Sequence, residues 1–290
     1  MRTSISLHNT HLLGAIYVII SGLLFAIMGV GVKFLFNELP VIEVVFFRNS
    51  FGLLLLLFFM VRRLRDLVTT NALKFHLVRA LLGLGAMFCF YFAIGHVDLS
   101  TAVLLSNTSP IFAPIVAYFW LGEKVPISAR LALVIGFLGV FLLLKPGELT
   151  FNVAAFTGLL SGVLSALSIT VIRYMSSTES PTRIVFYNSV IGVVVSAVPL
   201  LWYWVTPTAS HFMILSGIAI SATLAQLAIT RGLALAPIAT IGPFSFSTVL
   251  FAGIFGWVLW LELPDALSLL GTLLVITGGV IAISARRITK

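Results

Sequence analysis

The sequence predicts an all-α membrane protein with ten transmembrane helices, arranged as two inverted five-helix repeats around a central cavity. Three observations predict this fold: the composition, a series of ten apolar runs, and an internal repeat. Of the 290 residues, 60% are hydrophobic and 9% are charged, whereas soluble domains are about 25% charged. Because so few charges cannot give a chain a polar surface in water, the protein belongs in a bilayer.

Ten apolar runs have the length, about 20 residues, that a helix needs to cross the hydrocarbon layer. Charged residues, glycines and prolines mark most of the breaks between them, and the breaks near 95–99 and 231–237 are the least sharply defined. The first run is too long for a cleaved signal peptide, so we expect it to remain as the first helix. The runs cover residues 12–36, 41–61, 75–95, 99–121, 128–145, 153–174, 183–204, 211–231, 236–261 and 266–285.

The basic residues indicate how the helices are oriented. With a cytoplasmic N-terminus, 13 of the 17 basic residues fall at cytoplasmic ends and loops, where lysine and arginine are enriched in membrane proteins. We therefore expect both termini in the cytoplasm, in a bacterial inner membrane, with the positive charge facing anionic lipid rather than nucleic acid. The 13 residues are Arg2, Arg62, Arg63, Arg65, Lys74, Lys124, Arg130, Arg173, Arg183, Arg231, Arg286, Arg287 and Lys290.

The two halves of the chain resemble each other, which predicts domains at 1–147 and 148–290. An offset of 139 or 140 residues places Ser21-Gly22 on Ser161-Gly162, Lys33 on Arg173, Ser106 on Ser245, and Glu123 on Glu262. Each half holds five spans, so the second half enters the membrane from the opposite side. Inverted repeats of this kind are typical of secondary transporters, where the two halves exchange roles between inward-open and outward-open states.

Arg48 is the first candidate for binding substrate, because charged residues inside membrane helices are rare and often functional. It lies 7 residues from Val41 and 14 from Arg62, too deep to reach the cytoplasmic surface. Its guanidinium is suited to bidentate binding of a carboxylate or phosphate. The alternative is a structural arginine that pairs with a neighbouring helix.

Five further polar or aromatic residues are candidates for the cavity wall, each with a structural alternative. Arg79 binds substrate or extends to the interface. Gln226 and Asn107 offer amides to a ligand or hydrogen-bond between helices. Tyr91 and Phe244 stack on a ligand ring or simply pack. Candidates for gating or charge pairing are Lys33, Glu43, Arg173 and Arg231, and Glu43 is expected to pair with Lys33 or Arg48 or to be solvated.

Enzyme chemistry finds no support in the sequence. His-Glu-x-x-His, Gly-x-Ser-x-Gly and P-loop motifs are absent from the chain, and its 5 histidines are scattered. A single cysteine, Cys89, allows no intramolecular disulfide. We therefore expect no catalytic residue, no metal and no cofactor, and partners limited to a small-molecule substrate and membrane lipid. The sequence leaves the oligomeric state open.

Several motifs together resemble the EamA family of the drug/metabolite transporter superfamily. The resemblance covers essentially the whole chain and implies ten helices in two inverted halves, with spans one, three, four, six, eight and nine around a central cavity. Glu43 to Arg48 and the third span are most similar to the branch with S-adenosylmethionine uptake carriers, although the sixth span lacks an acidic residue for a cationic substrate. The motifs are Phe46-Phe47-Arg48, Arg79-Ala80-Leu81, residues 93–102, Ser106 to Pro110, Leu121-Gly122-Glu123-Lys124, residues 136–140 and Lys145-Pro146-Gly147.

These observations predict a secondary active or facilitative transporter that moves a small metabolite, such as an amino acid, a nucleoside-like compound or a carboxylate, by alternating access. Two alternatives stay open at this point, a passive metabolite channel and a membrane-embedded enzyme. The substrate, the direction of transport and the coupling ion are not determined by the sequence.

Overall fold

The computed structural model describes residues 2–60, 67–109, 111–112, 116, 119, 127–144, 153–175, 178–235 and 242–285. These residues form α-helices and one short 3₁₀ segment, Gly242–Phe246, and contain no strand. The helices are α1 (Arg2–Leu35), α2 (Val41–Met60), α3 (Leu73–His96), α4 (Leu99–Ser106), α5 (Ile127–Leu144), α6 (Val153–Met175), α7 (Pro181–Tyr203), α8 (Ala209–Leu235), α9 (Ser247–Trp260) and α10 (Ala266–Ala285).

Six of these helices are long and apolar enough to cross a membrane: α1, α2, α3, α6, α7 and α8. Two further apolar helices, Phe244–Trp260 and Ala266–Ile281, are shorter. Large apolar side chains such as Leu54, Phe58 and Leu201 point outward and are more than half exposed, which suits lipid and not water. The chain is therefore a multi-pass membrane protein.

The break expected near 95–99 is present, and the run 99–121 contains a further break that the sequence did not predict. The break near 95–99 is a tight turn at Val97 and Asp98 between α3 and α4. The run 99–121 begins as a helix, turns at Asn107 and Thr108, and is helical again at Ser109, Ile111 and Phe112. The Asn107 and Thr108 side chains bond to the carbonyls of Val103 and Leu105, at 2.8 and 2.6 Å, which competes with the helical pattern.

The principal helix pairs each join one predicted half of the chain to the other. The longest contacts are α1 along α8, α3 along α6, α5 along α10 and α2 along α7. Further pairs are α1 with α9, α4 with α6, α2 with α8 and α3 with α7. At the α5–α10 contact a Cβ on Gly139 would lie 2.7 Å from the Gly271 carbonyl oxygen, so glycine is needed for the two backbones to meet.

Two helix ends are fixed by local chemistry. At the start of α7 the Ser180 side chain accepts a hydrogen bond from the Arg183 amide, and Pro181 occupies the first helical position, where its missing N–H is not needed. At the end of α9, Leu261 adopts a left-handed conformation with φ 58°. A leucine is strained there, and the turn directs Glu262 back across the end of its helix.

Candidate functional site

Arg48 lies at the centre of a polar group formed by α2 and α8. Its Nη2 donates to Gln226 Oε1 at 3.3 Å, and its Nη1 donates to Asn49 Oδ1 at 3.1 Å. Asn49 in turn donates to the Val45 carbonyl of its own helix. Two residues 178 positions apart in the sequence, both predicted as site residues, are thus in direct contact.

Arg79 on α3 is the second cation of this region. Its side chain is buried, with 5% of the residue exposed. Its Nε has no hydrogen-bond partner, and the guanidinium forms no salt bridge or hydrogen bond with any residue that the structure describes. Arg48 is close enough for its charge to act on Arg79. Neither Arg48 nor Arg79 forms a salt bridge with a carboxylate among the described residues.

Tyr91 lies toward the C-terminal end of α3. Its ring is buried, its hydroxyl contacts Met28 Sδ at 3.4 Å, and the charge of Arg48 acts on it. Arg48, Arg79, Gln226 and Tyr91, which the sequence selected separately, thus lie in one region of the bundle. We name this region the arginine site.

The sequence reasoning missed two polar residues of the arginine site, Asn188 on α7 and Ser168 on α6. A Cβ built on Gly83 of α3 would lie 3.5 Å from Asn188 Oδ1, 3.6 Å from Ser168 Oγ and 3.7 Å from Arg79 Nη1. Asn188 Oδ1 is buried without a hydrogen-bond partner among the described residues. A buried asparagine within the apolar run 183–204 was the available signal, since an intramembrane amide needs a partner.

The other predicted wall residues lie elsewhere. Asn107 donates to Val103 O of its own helix and is half-buried after α4. Phe244 lies in the 3₁₀ segment with 43% of its surface exposed. No contact of either residue with Arg48 or Arg79 occurs in the described structure.

Lys33 and Glu262 form a salt bridge that joins the C-terminal ends of α1 and α9. Glu262 Oε2 also accepts the Leu99 amide at 2.8 Å, and Lys33 donates to the Val97 carbonyl at 3.3 Å. The Lys33 ammonium lies 5.2 Å from the centre of the Trp260 ring. We call Lys33, Glu262 and the Val97–Leu99 turn the outer junction, after the side of the membrane that the orientation predicted from the sequence gives it.

The remaining charge-pair candidates behave differently. Glu43 is fully buried and pairs with neither Lys33 nor Arg48; it accepts the Val205 amide at 3.2 Å. Both expectations for Glu43, a basic partner or full solvation, are therefore replaced by a contact with the loop after α7. Arg231 is exposed near the end of α8. The Arg173 side chain lies outside the described part of the structure.

A second group of polar residues surrounds Glu179, near the N-terminal ends of α3 and α7. It accepts from Arg183 Nη1 at 2.8 Å and Thr70 Oγ1 at 2.7 Å, and His76 Nε2 lies 3.5 Å away. Burial alone raises the pKa of Glu179, but the bonds from Arg183 and Thr70 outweigh it, so the pKa lies below its ordinary value of 4.5. Tyr187 stacks on His76 and donates to the Val68 carbonyl. We call this group the Glu179 network.

A further carboxylate–histidine pair lies near the outer junction. Glu38 after α1 and His211 on α8 are 2.6 Å apart. The pair joins the ends of two helices that pack along their length. Within the described residues, no group of three or more histidine, cysteine, aspartate or glutamate side chains is arranged to hold a metal ion.

Buried polar groups inside an apolar membrane bundle are rare and indicate a functional site, such as a substrate or ion pathway. The comparison with protein families is more specific. The chain belongs to the EamA-like transporter family, whose model matches residues 12–145 and again residues 152–284.

Individual relatives support the same assignment. The chain is 30% identical over 266 residues to the pseudopaline exporter of Pseudomonas aeruginosa, covering 91% of this chain and 93% of the relative. It is 24% identical to the S-adenosylmethionine uptake transporter of Rickettsia prowazekii, covering 92% and 91%. It is 25% identical to the riboflavin transporter of Vibrio cholerae, covering 93% of each.

A crystal structure also shares the fold, with a TM-score of 0.66 and 15% identity over 98% of this chain and 99% of that chain. Together the family and the named relatives establish that the chain is a transporter of a small metabolite and not an enzyme. The expected membership of the EamA family, with relatives among S-adenosylmethionine uptake carriers, is confirmed.

Proposed function

We propose that the chain is a secondary carrier in the bacterial inner membrane that binds a small organic compound with a carboxylate or phosphate group at the arginine site. It moves this compound by alternating access between two inverted five-helix halves, residues 1–147 and 148–290, with both termini in the cytoplasm. The substrate classes that fit are amino acids, carboxylates and anionic nucleoside-like compounds.

The observation that carries the proposal is the buried guanidinium of Arg79, whose Nε has no hydrogen-bond partner among the described residues. A buried charge is costly unless it is paired and hydrogen-bonded. Neither arginine has a carboxylate among its described neighbours, and Arg48 is held only by the neutral amides of Asn49 and Gln226. A ligand with an anionic group would supply the missing charge, and guanidinium binds carboxylates and phosphates in a bidentate manner.

Asn188 narrows the substrate class further. Its Oδ1 accepts no hydrogen bond from the described residues and faces the same point above Gly83 as Arg79 Nη1. A substrate with an N–H or O–H donor next to its anionic group would satisfy both residues. The named relatives move different compounds and include an exporter and uptake carriers. The proposed substrate class therefore rests on the residues of the arginine site and not on similarity to any one relative.

The helix packing supports alternating access by two equivalent halves. If α1 to α5 are exchanged with α6 to α10, the pair α1–α8 becomes α6–α3, α1–α9 becomes α6–α4, and α2–α8 becomes α7–α3. Each of these pairs is present, and α2–α7 and α5–α10 are exchanged into themselves. Packing with this symmetry suits two halves that exchange conformations across the membrane.

The proposal is tested by thermal-stability screening of the purified protein against carboxylates, amino acids, nucleosides and phosphate compounds, followed by uptake of the hits into proteoliposomes. Arg79→Ala should weaken binding of an anionic hit about 30-fold or more, because truncating one side of a buried charge pair costs roughly 2–5 kcal/mol. Arg79→Lys should lie between wild type and Arg79→Ala, since lysine lacks the bidentate geometry.

Lys74→Ala is the matched control, because it removes a positive charge from the exposed start of the same helix. It should bind the hit as wild type does. Unchanged affinity in both Arg48→Ala and Arg79→Ala would disprove the anion site. Flux that never saturates and shows no trans-stimulation would instead favour the passive channel over a carrier.

A further inference from the structure

The outer junction joins both predicted halves at one place. Lys33, Val97 and Leu99 belong to the first half, and Glu262 belongs to the second. A single carboxylate thus connects α1, α4 and α9. Its contacts are specific: Oε1 faces the Lys33 ammonium, and Oε2 accepts the amide at the first residue of α4, where the helix dipole favours a negative charge.

In the orientation predicted from the sequence, the junction lies further outward along α1 than the arginine site. Met28 on α1 contacts the Tyr91 hydroxyl at the boundary of that site. Lys33 is five residues further along α1, which places it about 7–8 Å further outward. Apolar contacts fill the space between, since a Cβ on Gly29 would lie 3.2 Å from Leu99 Cδ1. Above them, Lys33 and Glu262 are almost closed off, with 13% and 12% of their side chains exposed.

The backbone holds Glu262 in this position at an energetic cost. Leu261 is the one residue other than glycine with positive φ in the described chain, and its left-handed turn carries Glu262 back to within bonding distance of Gly256 O through its amide, at 3.2 Å. A strained backbone conformation of this kind persists only where the surrounding structure enforces it, and such conformations are concentrated at functional sites. The internal repeat aligns Lys33 with Arg173 and Glu262 with Glu123, so each half carries a basic residue and an acidic residue at corresponding positions.

We propose that Glu262 is the central residue of an outer gate, in which its bonds to Lys33 and the Leu99 amide close the arginine site from outside and break each time that face opens. The inference rests on the proposed alternating access. Substrate entering or leaving on the outer side passes only when α9 separates from α1 and the start of α4.

The Glu38–His211 pair provides the matched comparison. It lies near the same face and also joins a carboxylate to a basic group, but it connects α1 and α8, which pack along their whole length. We expect this contact to persist through the cycle. Removing the charge of Glu38 tests whether loss of any outer ion pair opens the arginine site to the outside, or only loss of the pair that Glu262 makes.

The experiment reports access to position 28 directly and needs no known substrate. Met28→Cys is introduced into a Cys89→Ala background, which removes the chain's sole native cysteine, and an impermeant thiol reagent is added from outside to whole cells or oriented vesicles. Glu262→Gln should speed labelling of the introduced thiol from outside about tenfold or more, because loss of the junction shifts the population toward the outward-open state. Lys33→Met should act in the same direction, and Lys33→Arg should keep labelling slow.

Sidedness separates gating from general loosening of the fold. In inside-out vesicles, labelling of the introduced thiol in Glu262→Gln should stay the same or fall. An equal rise from both sides, an equal rise in Glu38→Gln, or no change in both Glu262→Gln and Lys33→Met would overturn the gate. Ligand binding by Arg79 variants is read separately, so a failed anion site and a failed gate are distinguishable.

Discussion

Arg79 and Arg183 are two arginines near the same ends of neighbouring helices, yet their surroundings are opposite. Arg183 donates to Glu179, which also accepts from Thr70 and lies beside His76. Arg79 is buried more deeply, and no described residue accepts a hydrogen bond from its guanidinium. Under the proposed function, Arg183 stabilises the fold through its described partner Glu179, whereas Arg79 binds the anionic group of the ligand.

This difference also separates the energetic roles of the two regions. Removing one member of a paired, buried group leaves its partners unsatisfied and destabilises the fold. Removing a buried cation relieves a desolvation penalty that, for Arg79, no hydrogen bond or salt bridge from the described residues offsets. The two arginines therefore predict opposite changes in stability, which the following variants are designed to test.

The largest expected effect is on the free energy of unfolding of the purified protein. Glu179→Gln should lower it by roughly 2–3 kcal/mol, somewhat less than for a fully buried pair because Arg183 is partly exposed. Arg79→Met should leave it unchanged or raise it by about 1–3 kcal/mol, since replacing buried charge by apolar volume is often stabilising. Thermal unfolding without ligand measures both. A large loss of stability in Arg79→Met would show that this arginine is structural after all.

A smaller effect is expected from Gly83→Ala. The new methyl would make ordinary contacts of 3.5–3.7 Å with Asn188, Ser168 and Arg79, so the fold should tolerate it and gain up to about 1 kcal/mol from the better helix propensity of alanine. The methyl would occupy the space in which a ligand donor meets Asn188. Binding of the anionic hit should therefore weaken about tenfold, a loss of about 1.4 kcal/mol. Wild-type affinity in this variant would place the ligand elsewhere.

The smallest effect is a pH dependence that belongs to Glu179. Because its pKa is lower in the folded protein than its ordinary value of 4.5, the folded state stabilises the carboxylate. That stabilisation is complete above pH 4.5 and is lost as the pH falls through the lowered pKa. Thermal stability should therefore fall more steeply below about pH 4.5 in wild type than in Glu179→Gln. Parallel profiles for the two proteins would contradict the role of Glu179.

The sequence identified the candidate site residues more accurately than it predicted which residues contact each other. Arg48 and Gln226 were both selected because each is a polar side chain inside an apolar run, and they are bonded to each other. Glu43 was expected to meet Lys33 or Arg48, but it accepts the Val205 amide instead. The partner of Lys33 is Glu262, 229 residues away, and the only sequence signal for it was the match between Glu123 and Glu262 in the internal repeat.

His76 shows a second limit of sequence reasoning, which is that burial near a helix end is hard to predict. His76 lies two residues after Lys74 at the start of a span, and the sequence analysis assigned it no role. In the fold it is fully buried, stacked on Tyr187 and beside Glu179. Whether a polar residue near the end of a helix is solvated or buried depends on which loop covers it, and the loop in question comes from the other half of the chain.

Composition and the apolar runs by themselves determined that this chain crosses a membrane several times. Its short motifs indicated that it is a transporter of the EamA family. Both conclusions could be drawn from the sequence because hydrophobicity and motifs are local properties of a sequence. The tertiary structure decided which charges are paired. It placed Arg79 without a partner among the described residues beside Arg48, joined Lys33 to Glu262, and surrounded Glu179 with donors. Electrostatic compensation depends on distances between helices that are far apart in sequence, and only the packing of α1 to α10 determines those distances.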